Sequence, residues 1–153
     1  MNLTLGFVVK DNKILLGLKK RGFGVGKWAG FGGKLNESES IAKGMKREFK
    51  EEVGLDINQM TKVGIVEFIF LVSNEHFFVH IFNITNYSGT IGESGEMKPK
   101  WFKIDNIPFT EMWPDNQLWM SYFLSGQKFV GNFTYDRTNQ IENYTLNKVD
   151  NLE

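Results

Sequence analysis

The chain opens on an apolar run, Leu3 to Val9, which predicts a buried strand. Asp11-Asn12 marks a turn, and Ile14 to Leu18 returns as the second arm of a hairpin. Residues 22–33, GFGVGKWAGFGG, are too rich in glycine for regular structure. Glycine there lets the backbone take positive φ or approach a ligand closely. Apolar residues then recur at helical spacing from Ile41 to Val53, the clearest helix in the chain. Met60 to Val72 and Phe77 to Thr85 are apolar on both faces, as central strands are. A polar loop lies between Tyr87 and Met97, and Lys100 to Ile104 reads as a short strand. Pro114-Asp115 starts a second helix, Asp115 to Leu124. Phe129 to Tyr135 and Ile141 to Leu146 form a closing hairpin across DRTNQ. Strands mixed with two helices predict an α/β protein with its sheet between helices. No linker or repeat interrupts this order, so one domain over residues 1–153 is expected.

The first helix carries the chemistry. At about 100° per residue, Ile41, Ala42, Met45, Phe49 and Val53 share one arc, the predicted core face. Glu39, Lys43, Lys46 and Lys50 fall opposite. Glu48, Glu51 and Glu52 run along the margin of the apolar arc, and Glu52 falls within it. Carboxylates three and four residues apart repel by roughly 0.2–0.5 kcal/mol per exposed pair, and by more where a core lowers the dielectric. One reading is a solvated acidic helix balanced by Arg47 and the lysines. The other is a site for a hard divalent cation, because magnesium takes oxygen ligands and shares them with substrate phosphates. Placement at the core margin favours the second reading. The glycine-rich stretch before the helix adds backbone amides and carbonyls suited to a phosphate anhydride.

Composition narrows the partners. Lys+Arg is 18 and Asp+Glu is 18, which argues against long nucleic acid because that needs a basic surface. A single nucleotide, its phosphates neutralised by a metal, remains compatible. The absence of cysteine rules out disulfides, zinc-thiolate sites and a thiol nucleophile. Lys10 and Asp11 break the N-terminal apolar run, and no apolar stretch reaches membrane-spanning length. A cytoplasmic monomer with no membrane partner is therefore expected. Phe 14 and Trp 4 supply both a core and flat surfaces for a heterocycle. His76 and His80 read as structural rather than as a metal pair.

Residues 33–55, GKLNESESIAKGMKREFKEEVGL, resemble the Nudix signature at every specified position: Gly33, Glu39, Arg47, Glu48, Phe49, Glu51, Glu52, Gly54 and Leu55. The resemblance implies a Nudix α/β/α sandwich with a mixed β-sheet between helices. It also implies hydrolysis of nucleoside diphosphates linked to another moiety. RGFGVGKW before the box, and EMKPKWF, IPFTEMWPDN and NYTL after it, are similar to the animal MutT-homologue branch that acts on oxidised purine nucleotides such as 8-oxo-dGTP. That similarity spans nearly the whole chain and implies release of a nucleoside monophosphate and pyrophosphate. Position by position, it implies Mg2+, replaceable by Mn2+, held by Glu48, Glu51, Glu52 and the carbonyl of Gly32. Glu96 matches a further carboxylate, either a ligand or a base toward water. Arg47 matches the residue that orients the box carboxylates, and Glu39 a structural residue at the helix start. No covalent nucleophile is implied, and the general base is open among Glu51, Glu52 and Glu96. The matching base-pocket positions are Thr4, Lys19, Phe23, Ala29, Phe68, Phe70, Phe77, Trp113, Asp115 and Asn116, with Trp113 stacking on the purine.

Two positions depart from that branch. Ala29 stands where it has Asn, and Asn116 where it has a second Asp. Asp115 is then expected to accept from guanine N1–H and N2–H while Asn116 donates to O6. Ala29 leaves room for a substituent at purine position 6, such as O6-methyl or N6-methyl. The competing expectations are a general Nudix hydrolase of other nucleoside diphosphate compounds, and a non-catalytic nucleotide sensor. Retention of every box glutamate weighs against the sensor.

Overall fold

The computed structural model describes residues 1–152. The elements run β1 (Asn2–Lys10), β2 (Lys13–Lys19), β3 (Trp28–Ala29), α1 (Ile41–Val53), β4 (Asp56–Phe70), β5 (Glu75–Ser88), β6 (Met97–Lys103), α2 (Asn116–Ser125), β7 (Phe129–Tyr135) and β8 (Ile141–Lys148). Two 3-10 turns, Ile104–Asn106 and Phe109–Glu111, lead into α2.

The central sheet is mixed. β1 runs parallel to β5, β5 antiparallel to β4, β4 parallel to β7, and β7 antiparallel to β8. β2 pairs with β1 only over the hairpin end, from Val8↔Leu15 to Lys10↔Lys13. β6 pairs antiparallel along the whole of β2 on the other edge, and β3 pairs with Gly17 and Leu18 on the edge that β1 has left. Alternation of side chains along a strand sends each central strand into both layers. Phe7, Val79 and Ile81 enter one core; Val8, Phe82 and Ile84 enter the other. α1 closes the second core with Met45, Phe49 and Val53. α2 closes the first with Trp119, whose ring lies 5.8 Å from Phe7 and 5.5 Å from Phe129. A mixed sheet lies between two helices, as expected.

Several boundaries differ from the sequence reading. β4 begins four residues earlier, at Asp56, but stops at Phe70, while β5 extends at both ends, from Glu75 to Ser88, and the turn between them takes residues 71–74. Leu71 and Val72 therefore leave the strand and are exposed. The glycine-rich stretch is not wholly irregular: Trp28 and Ala29 pair with Leu18 and Gly17, because the free edge of β2 offers unpaired backbone groups. Gly22, Gly24 and Gly26 do take positive φ, at 80°, 81° and 84°. Ala42 is exposed rather than in the core face; a methyl group gains little from burial, and Gly44 is buried there instead. α2 starts at Asn116 with Asp115 as its cap residue, but the Asp115 carboxylate makes no cap bond. Among the described residues no helix is long and apolar enough to cross a membrane.

Candidate active site

α1 begins at Ser40, whose hydroxyl accepts from the Lys43 N–H at 3.2 Å, a normal N-cap. The helix then carries its glutamates toward the glycine loop. Glu52 is 2% exposed, and its Oε1 accepts from the Gly32 N–H at 2.8 Å. The Gly32 carbonyl accepts no hydrogen bond among the described residues. The loop is tied to β1, where the Thr4 N–H donates to the Gly33 carbonyl at 2.9 Å. Both glycines are needed for close approach. A Cβ on Gly32 would lie 1.9 Å from the Thr4 carbonyl oxygen, and one on Gly33 would lie 2.8 Å from the Glu48 carboxylate. Gly32→Ala must push this loop off β1, so it is expected to lower the thermal midpoint and abolish activity together; a melting curve and an activity assay on one preparation check this.

Arg47 organises the carboxylates. Its Nε and Nη2 donate to Glu39 at 2.8 and 2.9 Å, a fork-on-fork pair. Nη1 donates to Glu48 at 3.0 Å and to Glu51 at 3.2 Å. Nη2 also reaches the Lys34 carbonyl at 3.0 Å, which ties the helix to the loop. Arg47 and the Asn36 N–H hold Glu39 down to about 2. Glu39 is thus ionised and committed to Arg47, consistent with a structural role.

Glu48 and Glu52 are electrostatically uncomfortable without a cation. Burial raises Glu52 to about 8, with nearby Glu48 adding repulsion, while the Gly32 N–H and Lys19 oppose the shift. Burial likewise raises Glu48, with Arg47 and Lys19 opposing. Glu51 is exposed. Among the described residues no three histidine, aspartate or glutamate side chains are gathered closely enough to hold a metal ion by themselves. The donor set is hard oxygen throughout: carboxylates, with the unpartnered Gly32 carbonyl beside them. An open oxygen set of this kind fits a cation that keeps waters and shares substrate phosphates. Glu96 lies near enough to add to the negative field on Glu52.

The aromatic residues form a connected group of their own. Phe23 lies flat on Trp113, centroids 5.1 Å apart at 11°. Phe70 touches Phe23, Phe77 and Trp113 edge-on, at 5.6, 5.8 and 5.9 Å. Phe68 joins through Phe70 at 6.5 Å, as their shared strand face requires. The Lys27 ammonium sits 5.2 Å above the Trp113 ring.

Asp115 and Asn116 are both held by contacts within the protein. Asp115 is 1% exposed. Its Oδ1 accepts from the Tyr135 hydroxyl at 2.5 Å and its Oδ2 from the Trp119 indole N–H at 2.8 Å. Burial raises it to about 6, with those two donors opposing. The Asn116 amide already donates to the Trp113 carbonyl at 2.9 Å. Both side chains therefore first anchor the Trp113 turn. The Thr4 hydroxyl contacts Gly33 at 3.4 Å, and Lys19 bears on Glu48, Glu52 and Glu96. Ala29 lies in β3 opposite Gly17. His76 pairs with Glu67 at 3.2 Å and His80 with Asn2 at 2.9 Å, so the histidines serve separate contacts.

Two residues escaped the sequence reading. Tyr135 stacks on Phe70 at 5.3 Å and 14° and holds Asp115. Its period-two phase with Phe133 was the available signal. Arg21, bonded to Glu96, had no local signal.

Comparison with known proteins agrees with this geometry. The NUDIX domain family matches residues 2–123. The chain is 46% identical over 149 residues to "Oxidized purine nucleoside triphosphate hydrolase" of Mus musculus, covering 97% of this chain and 96% of that protein. It is 45% identical over 150 residues to the protein of the same name in Danio rerio, covering 98% and 96%. The crystal structure of the mutator MutT protein from Bacillus halodurans superposes with a TM-score of 0.83 at 26% identity, covering 95% of this chain and 97% of that one. Family, fold and the intact carboxylate box agree, and the chain belongs to the Nudix hydrolases.

Proposed function

We propose that this chain hydrolyses modified or oxidised purine nucleoside triphosphates to a nucleoside monophosphate and pyrophosphate, with Mg2+ as its cation and Mn2+ able to replace it. The observation that carries the reading is the Glu52 carboxylate, buried yet tethered by the Gly32 N–H at 2.8 Å and crowded by Glu48. The names of the 46% and 45% identical relatives support the choice of oxidised purines. Glu48, Glu51, Glu52 and the Gly32 carbonyl would hold the cation, and Glu96 would serve as a further ligand or base. The bound ion would activate water and offset negative charge on the departing pyrophosphate. Arg47 fixes the carboxylates before substrate arrives. Lys19, close to the same glutamates, is placed to meet phosphate oxygens. Phe23, Phe68, Phe70, Phe77 and Trp113 form the surface for the purine, with Ala29, Asp115 and Asn116 near its selectivity and Thr4 supporting the loop. The balanced charge of the chain supports free nucleotides over long nucleic acid. A cytoplasmic monomer, residues 1–153 acting as one unit, completes the proposal.

The test is pyrophosphate release with Mg2+ from 8-oxo-dGTP, 2-hydroxy-dATP, O6-methyl-dGTP and N6-methyl-dATP, compared by kcat/KM. Turnover of modified purines above dGTP and dATP supports the proposal, and no turnover of any sinks it. Tolerance at position 6 would show that Ala29 enlarges the site. Stacking on an aromatic ring is worth about 1–3 kcal/mol per base. Trp113→Ala is therefore expected to raise KM about 10-fold or more with a smaller change in kcat, read from steady-state kinetics.

A further inference from the structure

Arg21 meets Glu96 in an uneven way. Its Nε–H and Nη2–H both donate to the same oxygen, Oε1, at 3.1 and 2.6 Å. Among the described residues no donor reaches Oε2. A guanidinium commonly takes both oxygens of a carboxylate, one on each arm. Here one oxygen holds the arginine and the other is left over.

The backbone beneath this contact is built to hold it. β2 and β6 pair through Lys19↔Met97, and the Lys20 N–H extends the ladder by donating to the Glu96 carbonyl at 2.9 Å. The Lys20 ammonium donates to the Ser94 carbonyl at 2.7 Å and pairs with Glu93. The Ser94 hydroxyl accepts from the N–H groups of Glu96 and Met97 at 3.2 and 3.1 Å. The main chain of Glu96 is thus pinned, and Arg21 pins its side chain. The pair lies at the surface, with Arg21 67% and Glu96 39% exposed. Ion pairs this exposed add little to stability, so folding does not explain the arrangement. Met97, the residue after Glu96, packs in the core that Met45, Phe49 and Val53 of α1 close, which sets the pinned carboxylate at the start of a strand that lies against the helix carrying Glu48 and Glu52.

We infer that Arg21 is a positioning residue for the reaction: it occupies Oε1 of Glu96 so that Oε2 is presented to whatever binds at Glu48 and Glu52. This rests on the proposed function, in which Glu96 serves the reaction. Partners that orient a metal-site ligand from behind change metal affinity or activity by about 10–100-fold when removed.

The experiment compares Arg21→Ala, Arg21→Lys, Glu96→Gln and the Arg21→Ala/Glu96→Gln double variant of the full chain. Three quantities are read: kcat and KM for 8-oxo-dGTP, the melting midpoint, and Mg2+ binding without nucleotide by titration calorimetry. Expected for Arg21→Ala is a kcat about 10-fold lower, with KM and the melting midpoint close to wild type. Arg21→Lys recovers part of that loss. Mg2+ binding weakens alike in Arg21→Ala and Glu96→Gln. In the Glu96→Gln background, removal of Arg21 changes nothing further. Undiminished kcat and Mg2+ affinity in Arg21→Ala, beside impaired Glu96→Gln, overturn the inference alone. Losses that multiply in the double variant also overturn it. Wild-type behaviour of Glu96→Gln removes the role of Glu96 from the proposed function, and this inference with it.

Discussion

Glu52→Gln is expected to lower kcat by about 10^3-fold while making the metal-free protein more stable at alkaline pH. The first effect follows from losing a negative ligand where cation and phosphate must meet; removal of such a group costs several kcal/mol of transition-state stabilisation. The second follows from burial. Glu52 is held at about 8 in the folded chain, above the ordinary 4.5. The folded state therefore binds a proton that the unfolded state releases between these values. The stability supplied by that proton is fully present below about pH 4.5 and is lost as pH rises through about 8. Glutamine is neutral throughout and can still accept from the Gly32 N–H. Metal-free Glu52→Gln should thus gain about 3–5 kcal/mol over wild type at pH 9, and the gain should vanish near pH 4. Chemical denaturation at both pH values with a chelator present checks this. Equal stability of the two proteins at pH 9 would show that Glu52 is better solvated than its 2% exposure implies.

Arg47→Ala is expected to cost both activity and stability. One guanidinium holds Glu39, Glu48, Glu51 and the Lys34 carbonyl. Its loss leaves Glu39 without a partner cation and Glu48 with only Lys19 nearby, and releases the loop from the helix. A fall of about 100-fold in kcat is expected, with the melting midpoint lowered by several degrees. Arg47→Lys keeps the charge but not the fork. It should restore stability more fully than kcat, because one ammonium cannot hold Glu39 bidentately and reach Glu48 as well. Equal recovery of both quantities would mean that Arg47 acts only as a charge. Acid should expose the same network. Glu39 sits at about 2 because of Arg47 and the Asn36 N–H, so its contribution is present above about pH 4.5 and is lost as pH falls toward 2.

The parts of this site that were legible in the sequence are those set by local geometry. The glutamates of α1 and their lean toward the core follow from 3.6-residue periodicity, and Glu52 is buried where that periodicity put it. Phe68 and Phe70 meet because a strand repeats every two residues. Contacts set by strand order were not legible. Tyr135 reaches Asp115 only because the chain returns from α2 to lay β7 beside β4. That contact gives Asp115 an anchoring task which adjacency to Asn116 did not suggest. Arg21 and Glu96 are 75 residues apart, joined by the β2–β6 register. Trp28 and Ala29 form a strand despite the glycines around them because the β2 edge is free to receive them. Ala42 shows the opposite limit: its angular position was right for the core, and nothing packs over it.

We propose that Glu48 and Glu52 tolerate their crowded, largely buried setting because a divalent cation joins them to phosphoryl oxygens. A crystal structure with Mg2+ and a non-hydrolysable purine triphosphate tests it most directly. The expected result is an ion in contact with carboxylate oxygens of Glu52 and Glu48 and with the phosphate chain. A nucleotide bound with its phosphates remote from α1, and no ion between them and those side chains, would contradict it.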